Sequence, residues 1–436
     1  MSNPFYYGNP VPFTQFLDRR KELHRIASRI VYQGQSTAVV GEPRSGKTSL
    51  LEYLAAPDIR DGLYGSDEPR LHFSLVDNRI LGGQCNQPQF WELALHSFCE
   101  GVIDLDPDSP LARAYRTCQE NAFGTFTLER LLAQMNAEGW RLVLLLDEFD
   151  VLLDHAVLSC AEFFGGLRAL ASHSHGALAL VIASRRPLMD LNKDTQQFSR
   201  TGSPYFNFLA EITLGPWPDK DIQGLLSRAA DHFTAEDCRF IKQVAGGHPY
   251  LLQVAAYELW EAYEDGEEDS TVRRRQAWET LLDEAAMTLD NTWRLWPPAM
   301  RQAFAAVALT DVPRLLKQHD FDVERFIRDM RDFGPELRSL EKQGFVVADG
   351  NVPGGWRVRP QVFLWWLADE LVRIVRNEMP FEEWLRAQEW DGLLKRGEKQ
   401  QLDRGIHAIA GLLKDGVATL IETAAKGVGE AVMKGG

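Results

Sequence analysis

Between residues 36 and 215 the chain alternates two hydrophobic patterns. Short apolar or β-branched runs at 37–40, 71–76, 141–146, 178–183 and 212–214 read as strands. The stretches between them repeat apolar positions every three or four residues, the spacing of helices with one covered face. Leu142-Val143-Leu144-Leu145-Leu146 is apolar without interruption, as expected of a central strand covered on both sides. The alternation predicts an α/β domain, a parallel sheet with helices on both faces.

The pattern changes on either side of this region. Residues 1–35 begin rich in proline and aromatics and become helical over 17–31. Pro216-Trp217-Pro218 interrupts the chain, and Asp219 stands where it can cap a following helix. Helical spacing then runs to Tyr263 and ends in an acidic connector over 261–269, so 216–292 reads as a helical domain. Residues 293–378 read as helices at 298–307, 323–330 and 335–343, then two short strands, 345–348 and 356–359, flanking a turn. Three helices and a hairpin are the outline of a winged helix. Trp365, Trp366 and Trp384 are expected in packing. Over 379–436 apolar residues recur helically from Ile406 to Val428 but glycines interrupt them, giving an amphipathic helical tail of poor intrinsic propensity. Packing back on the body, binding a partner helix and lying on a membrane surface are its alternatives.

Composition narrows the partners. The chain has 436 residues, 47 basic against 62 acidic, and a formal net charge of −15, so its surface as a whole repels nucleic acid and anionic lipid. Between Trp296 and Arg376 twelve Lys and Arg face eleven Asp and Glu, a near-neutral balance that disfavours the winged region as a duplex-DNA reader. The N-terminus has neither the basic nor the apolar region of a signal peptide, and no apolar run is long enough to span a bilayer. The 5 cysteines form no C-x-x-C pair, which suggests reduced thiols in the cytoplasm and no zinc site.

The chemistry concentrates at strand ends. Gly41-Glu42-Pro43-Arg44-Ser45-Gly46-Lys47-Thr48 has the form G-x-x-x-x-G-K-[ST], with a strand before it and a helix opening at Ser49-Leu50 after it. Glycines let successive N–H groups converge into an anion nest, and the helix adds its positive end. Lys47 can reach the β- and γ-phosphates of a nucleoside triphosphate, and the Thr48 hydroxyl can sit on Mg²⁺. Asp147 and Glu148 follow the apolar strand and read as a Walker B pair: Asp147 holds Mg²⁺ through water and Glu148 orients the water that attacks the γ-phosphate. Asp150 and Asp154 read as a cap and a surface acid. The next strand ends Ser184-Arg185-Arg186, where Arg185 is placed to sense the γ-phosphate, a surface arginine pair being the alternative. Gly246-Gly247-His248-Pro249 lies between two helices, with Pro249 at the start of the second.

Together these motifs resemble the STAND and archaeal-type branch of the AAA+ ATPases, which includes NLR-like switches and is akin to the origin-recognition ATPases. The resemblance spans roughly residues 3–375. It implies a P-loop NTPase fold followed by a helical lid and a winged helix. Residues 1–35 then form the adenine-side segment, with Arg19 as its matching arginine and Asp18 where the family usually has glycine. It further implies that Arg185 is the sensor-I arginine and that Pro249, in Gly247-His248-Pro249, packs near the nucleotide base. The implied function is an ATP/ADP switch with slow hydrolysis, since no arginine finger is evident. Self-association or a protein partner goes with the ATP state, and the tail acts as effector or docking piece in defence or signalling. A winged-helix DNA-binding ATPase is the alternative.

Overall fold

The computed structural model describes residues 2–17, 19–65, 70–104, 106–198, 203–315, 333–375 and 380–390, with a few positions between 396 and 403. The chain divides into two bodies: residues 10–42 and 46–214 form one, residues 1–9, 43–45 and 215–436 the other.

The first body is built on five strands: β1 (Thr37–Val40), β2 (Arg70–Asp77), β3 (Trp140–Asp147), β4 (Leu178–Ser184) and β5 (Ala210–Thr213). They lie in the order β2-β3-β4-β1-β5 with every pairing parallel. The helices that accompany them include α1 (Arg20–Gln33), α2 (Lys47–Ala55), α3 (Gln87–Phe98), α4 (Pro110–Glu120), α5 (Thr125–Ala137) and α6 (Ala161–His173), with the shorter α7 (Leu188–Thr195) and a short turn of helix at Arg60–Tyr64.

Strand side chains alternate between faces, and the core follows that period of two. Leu142, Leu144 and Leu146 pack with Leu178, Leu180 and Ile182 under Phe90, Trp91, Leu131 and Phe164 of α3, α5 and α6. Val143 and Leu145 pack with Ala179 and Val181 in the opposite layer, under Ile26 and Ile30 of α1 and Leu50 and Leu51 of α2. The apolar run of β3 thus feeds two cores at once, which is why it lacks the alternation of a half-exposed strand. Gly34 ends α1 at φ +57°, and a Cβ there would fall 2.4 Å from the Gly176 carbonyl oxygen, so both the turn and the close approach require glycine.

The expected strands are present, one or two residues longer at several ends, and β5 ends at Thr213, one residue before the expected Leu214. The first helix starts at Arg20 rather than Leu17 because Arg19 adopts φ 133°, which no helix accommodates. Asp18 and the expected helix at 323–330 lie outside the described residues, as does the tail from Arg404 onward.

The second body contains α8 (Asp219–Leu226), α9 (Ala235–Ala245), α10 (Pro249–Glu264), α11 (Ser270–Leu295), α12 (Pro298–Leu315), α13 (Gly334–Gln343), the antiparallel hairpin β6 (Val346–Ala348) with β7 (Trp356–Val358), α14 (Gln361–Val375) and α15 (Phe381–Ala387). Asp219 is the first residue of α8 and makes no side-chain cap. Asp269 does cap α11, accepting from the Thr271 and Val272 amides. An aromatic cluster of Trp293, Trp296, Phe304, Phe345 and Phe363 joins α11, α12, α14 and the hairpin. Trp365 and Trp384 are buried in packing, as expected.

The same body carries the chain's first residues as a strap on α10. Phe5 is buried, stacked on Phe233 at 5.5 Å and edge-on to Trp260. Asn3 donates to the Tyr257 carbonyl and to Glu261, the Tyr6 amide donates to Gln253, and the Tyr7 hydroxyl donates to Glu258 at 2.8 Å. No helix of the described residues is long and apolar enough to cross a membrane.

Candidate functional site

The turn from β1 into α2 carries Gly41 to Thr48. Arg44 at φ 57° and Gly46 at φ 92° both take left-handed backbone, which curls the loop and turns its amides inward. α2 then begins at Lys47 with no side-chain cap on its first amides, so they stay available to an anion. Glu42, Ser45 and Ser49 are buried; Pro43 is half-buried and Arg44 exposed. The Ser49 hydroxyl accepts from the Val11 amide at 3.0 Å.

Lys47 is fully enclosed. Its ammonium donates to the carbonyls of Gly41 at 2.8 Å and Glu42 at 3.0 Å. Among the described residues no carboxylate lies within ion-pair distance of it, and burial pushes its pKa down against the pull of the acids around it. A buried cation whose hydrogen bonds go to carbonyls suits an anionic group arriving at the loop.

The C-terminal end of β3 supplies the facing acids. Thr48 donates its hydroxyl to Asp147 Oδ2 at 2.6 Å, joining the two motifs across 99 residues of sequence. Asp147 is buried, its other oxygen accepts the Glu148 amide at 2.9 Å, and Asn78 donates to its carbonyl at 2.6 Å. A hydroxyl and a carboxylate oxygen side by side form a hard-oxygen donor pair of the kind that Mg²⁺ takes. Glu148 stands at φ 48°, a strained conformation for a side chain with a Cβ, and its carboxylate lies 3.4 Å from Arg185 Nε and 3.9 Å from Arg79.

Arg185 follows β4 and is held twice by Asp150, through its amide at 3.1 Å and through its guanidinium at 2.8 Å. Asp150, expected as a cap, is therefore a buried ion-pair partner, because the chain turns back at Glu148 and carries it under the end of β4. Asp154 is exposed, as expected. The neighbouring Arg186 instead pairs with Asp194.

One body thus brings together Lys47, Thr48, Asp147, Glu148 and Arg185. Arg19 is buried at the start of α1, 3.6 Å from Glu22. Pro249 opens α10 in the other body. The sequence reading missed Asp150, Asn78 and Arg79. The last two follow β2 directly, and the rule that ligands gather at the carboxyl ends of parallel strands pointed to them.

The model of the AAA-like domain family matches residues 10–312. Among solved structures, the Walker-type ATPase of Pyrococcus abyssi is similar at TM-score 0.50 and 14% identity, covering 81% of this chain and 96% of that one. The ORC2 protein of Aeropyrum pernix, in ADPNP–ADP complexes, aligns at TM-score 0.45 and 14% identity over 90% of this chain and 94% of its own. A STAND protein of Pyrococcus horikoshii with a tetratricopeptide-repeat sensor aligns at TM-score 0.35 and 14% identity over 94% of this chain and 56% of its own. No curated protein matches. At this level of identity the first of these likenesses shows a shared fold.

Proposed function

This chain belongs to the AAA-like family, and from that premise we propose that it is an ATP-binding switch with slow hydrolysis. The observation that carries the reading is the direct bond from Thr48 to Asp147 beside the buried ammonium of Lys47, which donates to the Gly41 and Glu42 carbonyls. Those residues fit a nucleotide with its metal.

In this reading the amides of residues 43–48 bind the phosphates and Lys47 exchanges its carbonyl partners for phosphate oxygens. Ser49 lines the following turn of α2. Thr48 and Asp147 hold Mg²⁺, which when bound supplies a divalent charge against the phosphate oxygens. Glu148 orients the attacking water and Arg185 faces the γ-phosphate. Arg19 and Pro249 contribute to the base side.

The division proposed is 1–35, 36–215, 216–292, 293–378 and 379–436, with the lid and winged helix changing packing between ADP and ATP states. The output is self-association or release of the tail to a protein or membrane partner, in the cytoplasm, and a defence or signalling role goes with the STAND resemblance. The DNA-binding alternative gains no support from the hairpin, where Arg357 is tied to Asp349 at 2.8 Å.

The test is calorimetry of nucleotide-free protein with ATP and ADP, in the presence and absence of Mg²⁺. Lys47→Ala is expected to lose binding by a hundredfold or more. Glu148→Gln is expected to bind ATP as tightly as the parent and to turn over at least tenfold more slowly. Absence of nucleotide uptake by the parent protein overturns the proposal.

A further inference from the structure

We infer that a groove between α8 and α9 binds an amphiphilic anion, an apolar chain that ends in one negative group. The site lies wholly within the second body and stands independently of the nucleotide reading.

The sequence places a continuous stripe on α9. Ala235, Cys238, Arg239 and Lys242 fall at i, i+3, i+4 and i+7, the spacing of one helical face. Leu226 ends α8, and Ala230 follows one helical turn later. Both sets line a single groove of about 430 Å³, and Phe233, in the connection between them, lines it as well.

The groove is polar at one end only. Near the connection Leu226 and Phe233 are buried, and Ala230 and Ala235 offer nothing but methyl groups. The charges come further along α9. Lys242 lies seven residues beyond Ala235, about 10 Å along the helix axis. Arg239 precedes it by one turn on the same face. A chain laid along α9 with its apolar end at Phe233 therefore brings its head group to Arg239 and Lys242. On a protein of net charge −15, two cations beside an apolar trough select a negative head group. The charge of Lys242 is felt at the groove wall itself. Burial and Asp237 push the Cys238 thiol up, and Lys242 opposes them.

The walls are set before a ligand arrives, which lowers the cost of binding. Phe233 is stacked on Phe5 at 5.5 Å. Thr234 and Asp237 close a capping box at the start of α9, and Asp237 is buried against Arg274 at 2.8 Å. The size of the groove decides between occupants. One turn of a partner helix, about 10 Å across and about 5.4 Å high, takes up roughly 400 Å³ and would exhaust the space. A single extended alkyl chain fits without that limit.

Cys238 reports occupancy directly, because it lines the groove and is partly exposed. The experiment follows the rate at which N-ethylmaleimide modifies each cysteine of the full chain, by peptide mass spectrometry. The probe is sodium decanoate below its micelle-forming concentration. Cys85, also partly exposed, is the internal reference. Saturating decanoate is expected to slow modification of Cys238 by about fivefold or more, the protection given by a groove that covers most of its ligand, and to leave Cys85 unchanged. Decylamine, the same chain with the opposite charge, is expected to give no protection. Arg239→Gln/Lys242→Gln is expected to need about three- to tenfold more decanoate for half-protection. Ala230→Trp, which fills the trough, is expected to abolish protection.

Equal protection by decylamine overturns the inference, as does decanoate protection that survives Ala230→Trp. Equal slowing of Cys85 marks general coating of the surface and overturns it too, and so does a parent protein in which decanoate leaves Cys238 unprotected. If the double variant does not fold, decanoate against decylamine on the parent protein decides alone.

Discussion

Asp150 holds two separate parts of Arg185, the amide and the guanidinium, and does so from a buried position. Removing it strands a backbone donor and releases an arginine that also reaches Glu148. Asp150→Ala is therefore expected to destabilise the sheet body by about 1–3 kcal/mol, read as a lower denaturant midpoint at unchanged slope. Asp150→Asn, which keeps an acceptor, is expected to lose less. Local sequence concealed this role because acids after a strand usually face water. The left-handed turn at Glu148, which sends Asp150 inward, leaves no mark in a pattern of apolar spacing. Lys47, Thr48, Asp147 and Glu148 were legible for the opposite reason: each sits at a fixed offset from a strand end, where backbone geometry dictates residue type.

At the scale of elements, β3 and β4 could be read directly because their apolar runs feed two core layers and tolerate no polar interruption. Helix ends were less legible; α1 starts three residues late because Arg19 breaks the backbone path. The strap formed by residues 2–9 was not legible at all. It has no periodicity, and its partners on α10 lie about 250 residues away, as the 251-residue separation of Tyr7 and Glu258 shows. Phe5 anchors it between Phe233 and Trp260. Phe5→Ala is expected to cost up to about 3–5 kcal/mol of local stability, the usual cost of emptying a buried phenylalanine site. Hydrogen exchange of the Tyr6 amide, which donates to Gln253, measures this directly. Faster exchange confined to residues 2–9 is the expected result, and unchanged protection there would show that the stack does not hold the strap.

For the whole molecule, the proposed switch predicts that mass in solution depends on the nucleotide. Light scattering is expected to find a larger species with a non-hydrolysable ATP analogue and Mg²⁺ than with ADP, and Lys47→Ala is expected to give one mass under both conditions. Equal masses for the parent protein would remove assembly from the proposal and leave nucleotide binding standing. The net charge of −15 sets the condition for this measurement: repulsion between copies is strongest at low salt, so association is expected to strengthen as ionic strength rises.

The docking of Phe5 on Phe233 and Trp260 also sets an order of events during synthesis. A ribosome adding roughly 5–20 residues each second needs about 12–50 s to travel from the strap to α10. Throughout that interval Phe5, Tyr6 and Tyr7 are without the partners that hold them in the folded body. The strap can settle only once Trp260, near the end of α10, has been made.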